Sequence, residues 1–98
     1  MKLQVLLYQK ELRWTAVGLE HCVFGGGASI EIALQAFLRD LSLQIVLDQG
    51  AGLEPLSETP PADEEFWERY RQSQLHLTFD IPVPAPAQDW VQDIRVAA

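Results

Sequence analysis

Apolar and polar residues alternate along the first part of the chain. The segment from about residue 2 to residue 9 carries an apolar residue at every second position, and this period of two predicts a β-strand. The segment 13–19 repeats the alternation and predicts a second strand, with Trp14 and Ala16 on one face. A short, mainly polar break separates the two segments, so we expect them to form a hairpin.

A third, short strand is predicted over residues 21–24. We expect it to stop at Gly25-Gly26-Gly27, because a run of glycines offers no side chains for sheet packing and has low helix propensity. The glycines are interpreted as a flexible turn into the element that follows. The alternative is a phosphate-binding loop before a helix, but the segment has neither the lysine of a P-loop nor the spacing of the dinucleotide-binding motif.

The period changes after Ser29. Apolar residues then follow at steps of three and four, which predicts an amphipathic helix from about residue 29 to residue 48. Ser29 stands where an N-cap residue is expected, and Gly50 is expected to end the helix. The apolar stripe should cover one face of the sheet, and its members are Ile30, Leu34, Phe37, Leu38, Leu41 and Ile45.

The second half of the chain is less regular. Residues 50–63 are rich in glycine, proline and small polar residues and predict an exposed connection. A short helix is predicted from residue 62 to about 72, with acidic residues in its first turn and arginines near its end. Alternation over residues 75–81 predicts a half-buried strand that ends at Pro82. A last helix is predicted over about 87–96.

These elements predict an α+β fold. Three strands that begin as an antiparallel sheet, one further strand and one long helix make a domain of one sheet and one helix layer. The 98 residues have the length of one domain, so residues 1–98 are expected to fold as a unit. No stretch reaches the roughly 18–20 apolar residues of a membrane span. No signal-peptide pattern is present either, and a cytoplasmic protein is expected.

The charge balance narrows the classes of partner. The chain has 14 acidic and 7 basic side chains, for a formal net charge of −7. A nucleic-acid surface needs clustered Lys and Arg, and an anionic lipid surface has the same requirement, so neither is expected as a direct partner. Basic proteins remain as partners. We also expect a homo-oligomer, because a domain this small has little room to bury Phe24, Trp14, Trp67 and Trp90.

Six carboxylates and no base occur between Gly50 and Glu68. Aromatic residues accompany the acids of the predicted short helix, which is typical of a surface where charge steers a basic protein and an aromatic ring anchors it. The alternative interpretation is a solvated face without a partner. The predicted partner-binding residues are Asp63, Glu64, Glu65, Trp67 and Glu68.

No catalytic set emerges from the sequence. His21 and Cys22 are adjacent, so on a strand they point to opposite faces, and His76 is distant in sequence. The serines stand in no nucleophile motif. No enzymatic activity, cofactor or metal is therefore expected. The rival class is a small hydrolase or nuclease that holds a divalent metal through its carboxylates.

Two stretches of the chain resemble the N-terminal domain of the HicB antitoxin family. The first is Trp14-Thr15-Ala16-Val17 followed by His21-Cys22-Val23. The second is Gly27-Ala28-Ser29-Ile30-Glu31-Ile32-Ala33-Leu34, which is similar to the family's Gly-x-Thr/Ser-x-Glu-x-Ala at the start of the main helix. The predicted strand 75–83, with its trailing Pro82, resembles the family's next strand. The resemblance covers about residues 2–50 and 75–84.

The resemblance implies a partly degraded RNase H-like fold with a β-β-β-α-β core. It also implies a non-catalytic domain that self-associates and that binds and masks a small basic mRNA interferase of the HicA type. The DNA-binding segment that usually follows in the family has no counterpart before Ala98, so direct DNA binding is not expected. An orphan homo-oligomeric structural protein, without a toxin partner, is the alternative.

Overall fold

The structure is a computed structural model that describes residues 3–78 and 81–97. It confirms the α+β class, with one long helix packed on a mixed sheet. A short 3-10 helix at Ala85–Ala87 precedes the last strand. The strands and α-helices follow in the order β1 (Leu3–Lys10), β2 (Arg13–Gly18), β3 (Phe24–Gly27), α1 (Ile30–Gly50), α2 (Glu64–Gln72), β4 (Leu75–His76) and β5 (Val91–Val96).

The sheet places β1 at its centre, in the strand order β3-β2-β1-β5-β4. β1 and β2 form the predicted antiparallel hairpin, in which Lys10 lies opposite Arg13. Glu11 turns the chain there with a left-handed φ of 59°. On its other side β1 pairs with β5, which runs parallel to it. β1 is therefore hydrogen-bonded along both edges, and its side chains fill both faces of the sheet.

The first hydrophobic core lies between α1 and the sheet. Alternate residues of β1, namely Leu3, Val5 and Leu7, are fully buried against α1. The predicted stripe of α1 is buried there too, apart from the partly buried Ile30. Ser29 caps the helix as predicted, since its Oγ accepts a hydrogen bond from the backbone of Ile32 at 3.2 Å. No helix within the described ranges has the length and apolar character needed to cross a membrane.

The glycine run forms a strand, so the prediction of a flexible turn was wrong. Gly25, Gly26 and Gly27 belong to β3 and pair with β2. A Cβ added at Gly25 would lie 2.1 Å from the backbone nitrogen of Phe37, and one at Gly27 would lie 2.4 Å from a side-chain carbon of Ile32. The missing side chains let α1 pack directly on the strand backbone. This tertiary contact explains why glycine occupies these positions. Because the glycines form a strand, they do not provide the loop that the phosphate-binding alternative requires.

A second core lies on the opposite face of the sheet. Leu6 of β1 and Val17 of β2 are fully buried there. Phe66 and Tyr70 of α2 pack against them. The predicted short helix is confirmed with the bounds Glu64–Gln72, but it adds a layer. The domain therefore has helices on both faces of its sheet, and the single helix layer expected from the sequence was wrong.

The predicted strand over residues 75–81 is largely wrong. Within the described residues, strand pairing is limited to Leu75 and His76. Leu75 is one of the apolar positions of the alternation but is 65% exposed, and the polar His76 beside it is exposed as well. Phe79 and Asp80 lie outside the described residues. An alternating pattern is only a local preference, and an edge position supplies few partners to stabilise it.

The predicted helix over residues 87–96 is wrong as well. Residues Val91–Val96 form β5, and the strand occupies the position beside β1. The apolar spacing of Trp90, Val91 and Ile94 fits a helix, but Val91, Ile94 and Val96 are β-branched, and a short apolar run is ambiguous between the two periods. The free edge of β1 decides the outcome in favour of a strand.

The connection over residues 50–63 is exposed in part only. Leu56 is fully buried in the first core. Its backbone N–H donates to Oδ2 of Asp48 at 2.7 Å, and Gln44 donates to Oδ1 of the same carboxylate at 2.9 Å. Asp48 is buried at the end of α1, where these bonds satisfy its oxygens. The prediction of an exposed connection did not include this anchoring hydrogen bond, because the group that accepts it, the Asp48 carboxylate, lies on α1 and not on the connection.

We expect Gly25→Ala to destabilise the fold strongly. The new Cβ would overlap the backbone of α1, and overpacking of this kind costs about 1–3 kcal/mol. Gly26→Ala is the matched control, because its Cβ would meet only ordinary contacts at 3.6 Å and 3.7 Å, and we expect a change below about 0.5 kcal/mol. Urea unfolding measures both variants. Equal stabilities of the two would contradict the close packing of β3 against α1.

Candidate functional site

Four of the predicted partner-binding residues form one acidic face. α2 begins after Asp63, with Glu64 and Glu65 in its first turn, where carboxylates interact favourably with the helix dipole. Glu68 follows Glu64 by four residues and Glu65 by three, so the three carboxylates share one side of the helix. All four residues are exposed. We call Asp63, Glu64, Glu65 and Glu68 the acidic face.

The two arginines of α2 leave most of the acidic face without a countercharge. Arg71 forms an exposed ion pair with Glu64, with an N–O distance of 2.5 Å, and such exposed pairs contribute little to stability. Arg69 lies over the ring of Tyr8 on β1, 4.7 Å from its centroid, in a cation–π contact. The other three residues of the acidic face form no ion pair within the described part of the chain. A negative surface therefore faces solvent.

Trp67 borders the acidic face instead of standing on it. Trp67 packs against the second core together with Phe66 and Tyr70. Trp67 is half-buried, because positions 66, 67 and 70 lie on the inner half of the helix. The ring is thus held by the core along one side and is open to solvent along the other.

Backbone hydrogen bonds hold the start of α2 in place. The carbonyl of Pro60 accepts a bond from the N–H of Cys22 at 2.7 Å, and the N–H of Ala62 donates to the carbonyl of Leu19 at 2.9 Å. These bonds join the end of the connection to the loop between β2 and β3. The acids Glu54 and Glu58 lie on the same connection and are exposed. They add two negative charges to the segment that leads to the acidic face.

A hydrogen-bonded cluster joins α2 to β4 and β5, and the sequence did not predict it. The Asp93 carboxylate on β5 accepts a bond from the Tyr70 hydroxyl at 2.5 Å. It also pairs with Nδ1 of His76 at 2.8 Å and with Nε of Arg95 at 3.2 Å. The guanidinium of Arg95 lies 4.3 Å from the centroid of the Tyr70 ring. We call Tyr70, His76, Asp93 and Arg95 the Asp93 cluster.

The cluster shifts the pKa values of its two acidic groups in opposite directions. Desolvation opposes ionisation of Asp93, but hydrogen bonds from Tyr70, His76 and Arg95 outweigh it and lower the pKa of this carboxyl. Desolvation, followed by the hydrogen bond to Asp93 and by its charge, raises the pKa of Tyr70 to about 12. The ionised carboxylate and the neutral phenol therefore form a matched acceptor and donor.

The Asp93 cluster attaches the last turn of α2 to the sheet. Arg95 also donates to the backbone carbonyls of Tyr70 and Ser73, at 3.2 Å and 3.3 Å. These bonds satisfy the last turn of α2. Among the described residues, no hydroxyl or thiol is hydrogen-bonded to the ring of His76, so this imidazole has no nucleophile to activate. The spacing of Asp93 and Arg95 by two residues, which puts both on one face of a strand, was the signal that could have revealed part of the cluster.

The structure does not assemble the histidines and the cysteine into a site. His21 Nδ1 lies 2.9 Å from the carbonyl oxygen of Thr59, whereas His76 belongs to the Asp93 cluster. Burial, with a smaller contribution from Asp63, raises the pKa of the Cys22 thiol. A protonated thiol is a poor nucleophile and a poor metal ligand. Over the described ranges, no three or more His, Cys, Asp and Glu side chains are grouped as metal ligands would be.

A second exposed surface lies on α1. Ile32, Leu43 and Leu47 are 49%, 56% and 56% exposed, and Ala36 is partly exposed between them. Steps of four and seven residues place them on one side of the helix. We call Ile32, Ala36, Leu43 and Leu47 the apolar ridge. The sequence prediction of a single apolar stripe does not include the ridge, although apolar residues on all sides of a helix are the signal of a second buried face.

The ridge borders a groove of about 350 Å3 between α1 and the start of β3, lined in part by Phe24, Leu43 and Leu47. Phe24 is 45% exposed, as expected for a residue with little room inside. The three tryptophans instead pack partly against the two cores. The exposed apolar surface is therefore concentrated on α1 and not on the tryptophans.

Comparison with protein-family models, with curated proteins and with solved structures found no match to this chain. The acidic face and the apolar ridge are the two surfaces on which a function can be argued. They lie on opposite sides of the sheet, because α2 covers one face of it and α1 the other.

The raised pKa of Tyr70 predicts a specific loss of stability in alkali. A folded-state pKa of about 12, against an ordinary value of 10.0, contributes stability that is complete below pH 10.0 and lost as the pH rises through about 12. Tyr70→Phe should lower the unfolding free energy at neutral pH by about 1–2 kcal/mol, through loss of the bond to Asp93. The unfolding free energies of the wild type and this variant should then converge as the pH approaches 12.

Urea unfolding over this pH interval measures the effect. Tyr8→Phe is the control, because it also removes a phenol but leaves the bond between Tyr70 and Asp93 intact. A constant difference in unfolding free energy between the wild type and Tyr70→Phe across this pH interval would show that the pKa of Tyr70 is not raised by folding.

Proposed function

We propose that this chain is a non-catalytic, HicB-like interaction domain that binds a small basic protein through its acidic face. The exposed carboxylates of α2 and of the residue before it carry the proposal, because three of the four have no countercharge within the described residues. A basic ribonuclease of the HicA type is the partner class proposed. Its RNA-binding surface must be positive, and an acidic face that covers it would compete with RNA phosphates.

The physical basis is electrostatic steering followed by an aromatic contact. Exposed charges act over about 8–10 Å at ordinary salt concentrations, so the acidic face attracts a basic partner before contact. Trp67 at its border is anchored in the second core, and a ring that is already held loses little conformational freedom on binding. The fixed start of α2 keeps the carboxylates and the ring in one arrangement.

The element order supports the HicB-like part of the proposal. Three antiparallel strands and α1 are followed by a strand that returns to the sheet beside β1. This strand is β5, over Val91–Val96, and not the segment 75–83 to which the resemblance assigned it. The β-β-β-α-β core is thus completed by residues nearer the end of the chain.

A homo-oligomeric structural protein is the second candidate function, and the apolar ridge favours it. A metal-dependent hydrolase has less support, because the carboxylates of the acidic face point outward from one helix. Metal catalysis needs carboxylates that converge on one position and a cavity that holds the substrate.

The first experiment is purification of the tagged chain from its native host at low salt. We expect a small basic protein to accompany it and to dissociate at high salt. The purified partner should cleave RNA, and an equimolar amount of this chain should suppress the cleavage. Recovery of the chain alone at every salt concentration would refute the proposal.

The second experiment tests the surface, and Glu65→Gln/Glu68→Gln is the informative variant. Loss of two steering charges should weaken binding of the purified partner by about tenfold or more, mainly through slower association. The variant retains the Glu64–Arg71 ion pair. Glu11→Gln/Glu31→Gln removes the same charge from exposed positions on the β1–β2 turn and on α1 and should bind as the wild type does. Equal weakening in both variants would show that net charge alone, and not the acidic face, attracts the partner.

A further inference from the structure

The apolar ridge of α1 is a surface that the proposed function leaves without a role. Of the eight large hydrophobic side chains exposed within the described residues, four lie on α1, namely Ile32, Leu43, Val46 and Leu47. Each is about half exposed. The three that belong to the ridge give, with Ala36, an apolar surface of about 300 Å2, which is in the size range of the largest and often functional patch of a monomer.

The charges around the ridge distinguish it from the rest of the surface. Residues 41–47 contain no charged side chain. Arg39 and Asp40 are exposed at the middle of the ridge and form no ion pair within the described residues. Consecutive residues are about 100° apart around a helix, so these two lie on opposite flanks of the ridge. The face is therefore neutral overall, although the chain carries a net charge of −7.

We propose that the apolar ridge is the interface through which two copies of this chain dimerise. A neutral apolar face lets two acidic molecules approach with little repulsion at the contact, because the charge of Arg39 balances that of Asp40 there. A strongly charged partner would gain little from such a face. Each ridge supplies more than a third of the roughly 800 Å2 per partner that a stable interface buries, and the stems of the flanking polar residues extend the contact.

The flanking charges further select a parallel arrangement of the two α1 helices. A two-fold axis along the helices places Arg39 of each copy beside Asp40 of the other, which gives two reciprocal ion pairs. An antiparallel arrangement would place Arg39 against Arg39 and Asp40 against Asp40. The parallel dimer therefore joins Leu43 to Leu43 and Leu47 to Leu47, with an opposite-charge pair on each side of the apolar seam.

The oligomeric state of the full chain in solution tests the interface. Sedimentation equilibrium at about 50 μM should give twice the chain mass of 11.0 kDa. This concentration lies above the micromolar Kd that is expected of a weak interface of this size. Leu43→Gln/Leu47→Gln should be monomeric and still folded, as judged by circular dichroism, because both side chains are already 56% exposed. A wild-type monomer would overturn the proposal.

Leu12→Gln/Leu75→Gln is the matched control. These leucines are 85% and 65% exposed and lie on the β1–β2 turn and on β4, so the control variant should remain dimeric. An oligomer that survives Leu43→Gln/Leu47→Gln, or one that is lost in the control, would place the interface elsewhere and overturn the proposal.

The parallel arrangement has its own test. Asp40→Arg should weaken the dimer by about tenfold, because it creates two pairs of like charge at the seam. The double variant Arg39→Asp/Asp40→Arg restores opposite charges and should recover the wild-type affinity. Glu65→Arg makes the same change in charge on the far side of the sheet and should not weaken the dimer. An unaffected Asp40→Arg would refute the parallel dimer.

The dimer does not depend on the proposed binding of a basic protein, because the two surfaces lie on opposite sides of the sheet. A dimer without a basic partner would support the homo-oligomeric alternative. A basic partner bound to a monomer would support the acidic face and overturn the dimer.

Discussion

The burial of β1 on both of its faces is the constraint on which the rest of the structure depends. Buried and exposed positions do not alternate in the middle of this strand, where Val5, Leu6 and Leu7 are all fully buried. Odd positions fill the core under α1, and Leu6 fills the core under α2. A strand that is apolar on both sides requires a layer on each face of the sheet. It also requires a hydrogen-bonding strand along each edge, and β2 and β5 supply these.

The two helix layers meet this requirement in different ways. α1 lies so close to the sheet that β3 has room for glycine and not for a larger residue at Gly25 and Gly27. α2 is short and is held by polar bonds as well as by its aromatic residues. The Asp93 cluster joins its last turn to β5, and the backbone bonds of Pro60 and Ala62 fix its start.

This layered arrangement separates the two candidate surfaces. Because α1 and α2 pack on opposite faces of the sheet, the apolar ridge and the acidic face point in opposite directions. The proposed dimer interface and the proposed surface for a basic protein therefore do not overlap. Each surface is the outer side of a helix whose inner side forms a core, so both depend on the same packing of β1.

Local patterns in the sequence determined the hairpin, the long helix with its Ser29 cap, the short acidic helix and the exposure of its carboxylates. These features depend on contacts between residues that are a few positions apart, and the period of the apolar residues along the sequence indicates such contacts directly. Tertiary structure alone decided that residues 91–96 form a strand, because the free edge of β1 favours β5 over a helix of similar apolar spacing. It also decided the glycine strand and the Asp93 cluster, whose members approach each other only after the sheet has formed. Partners that are distant in sequence leave no periodic pattern, and that is the physical reason why the sequence alone did not reveal them.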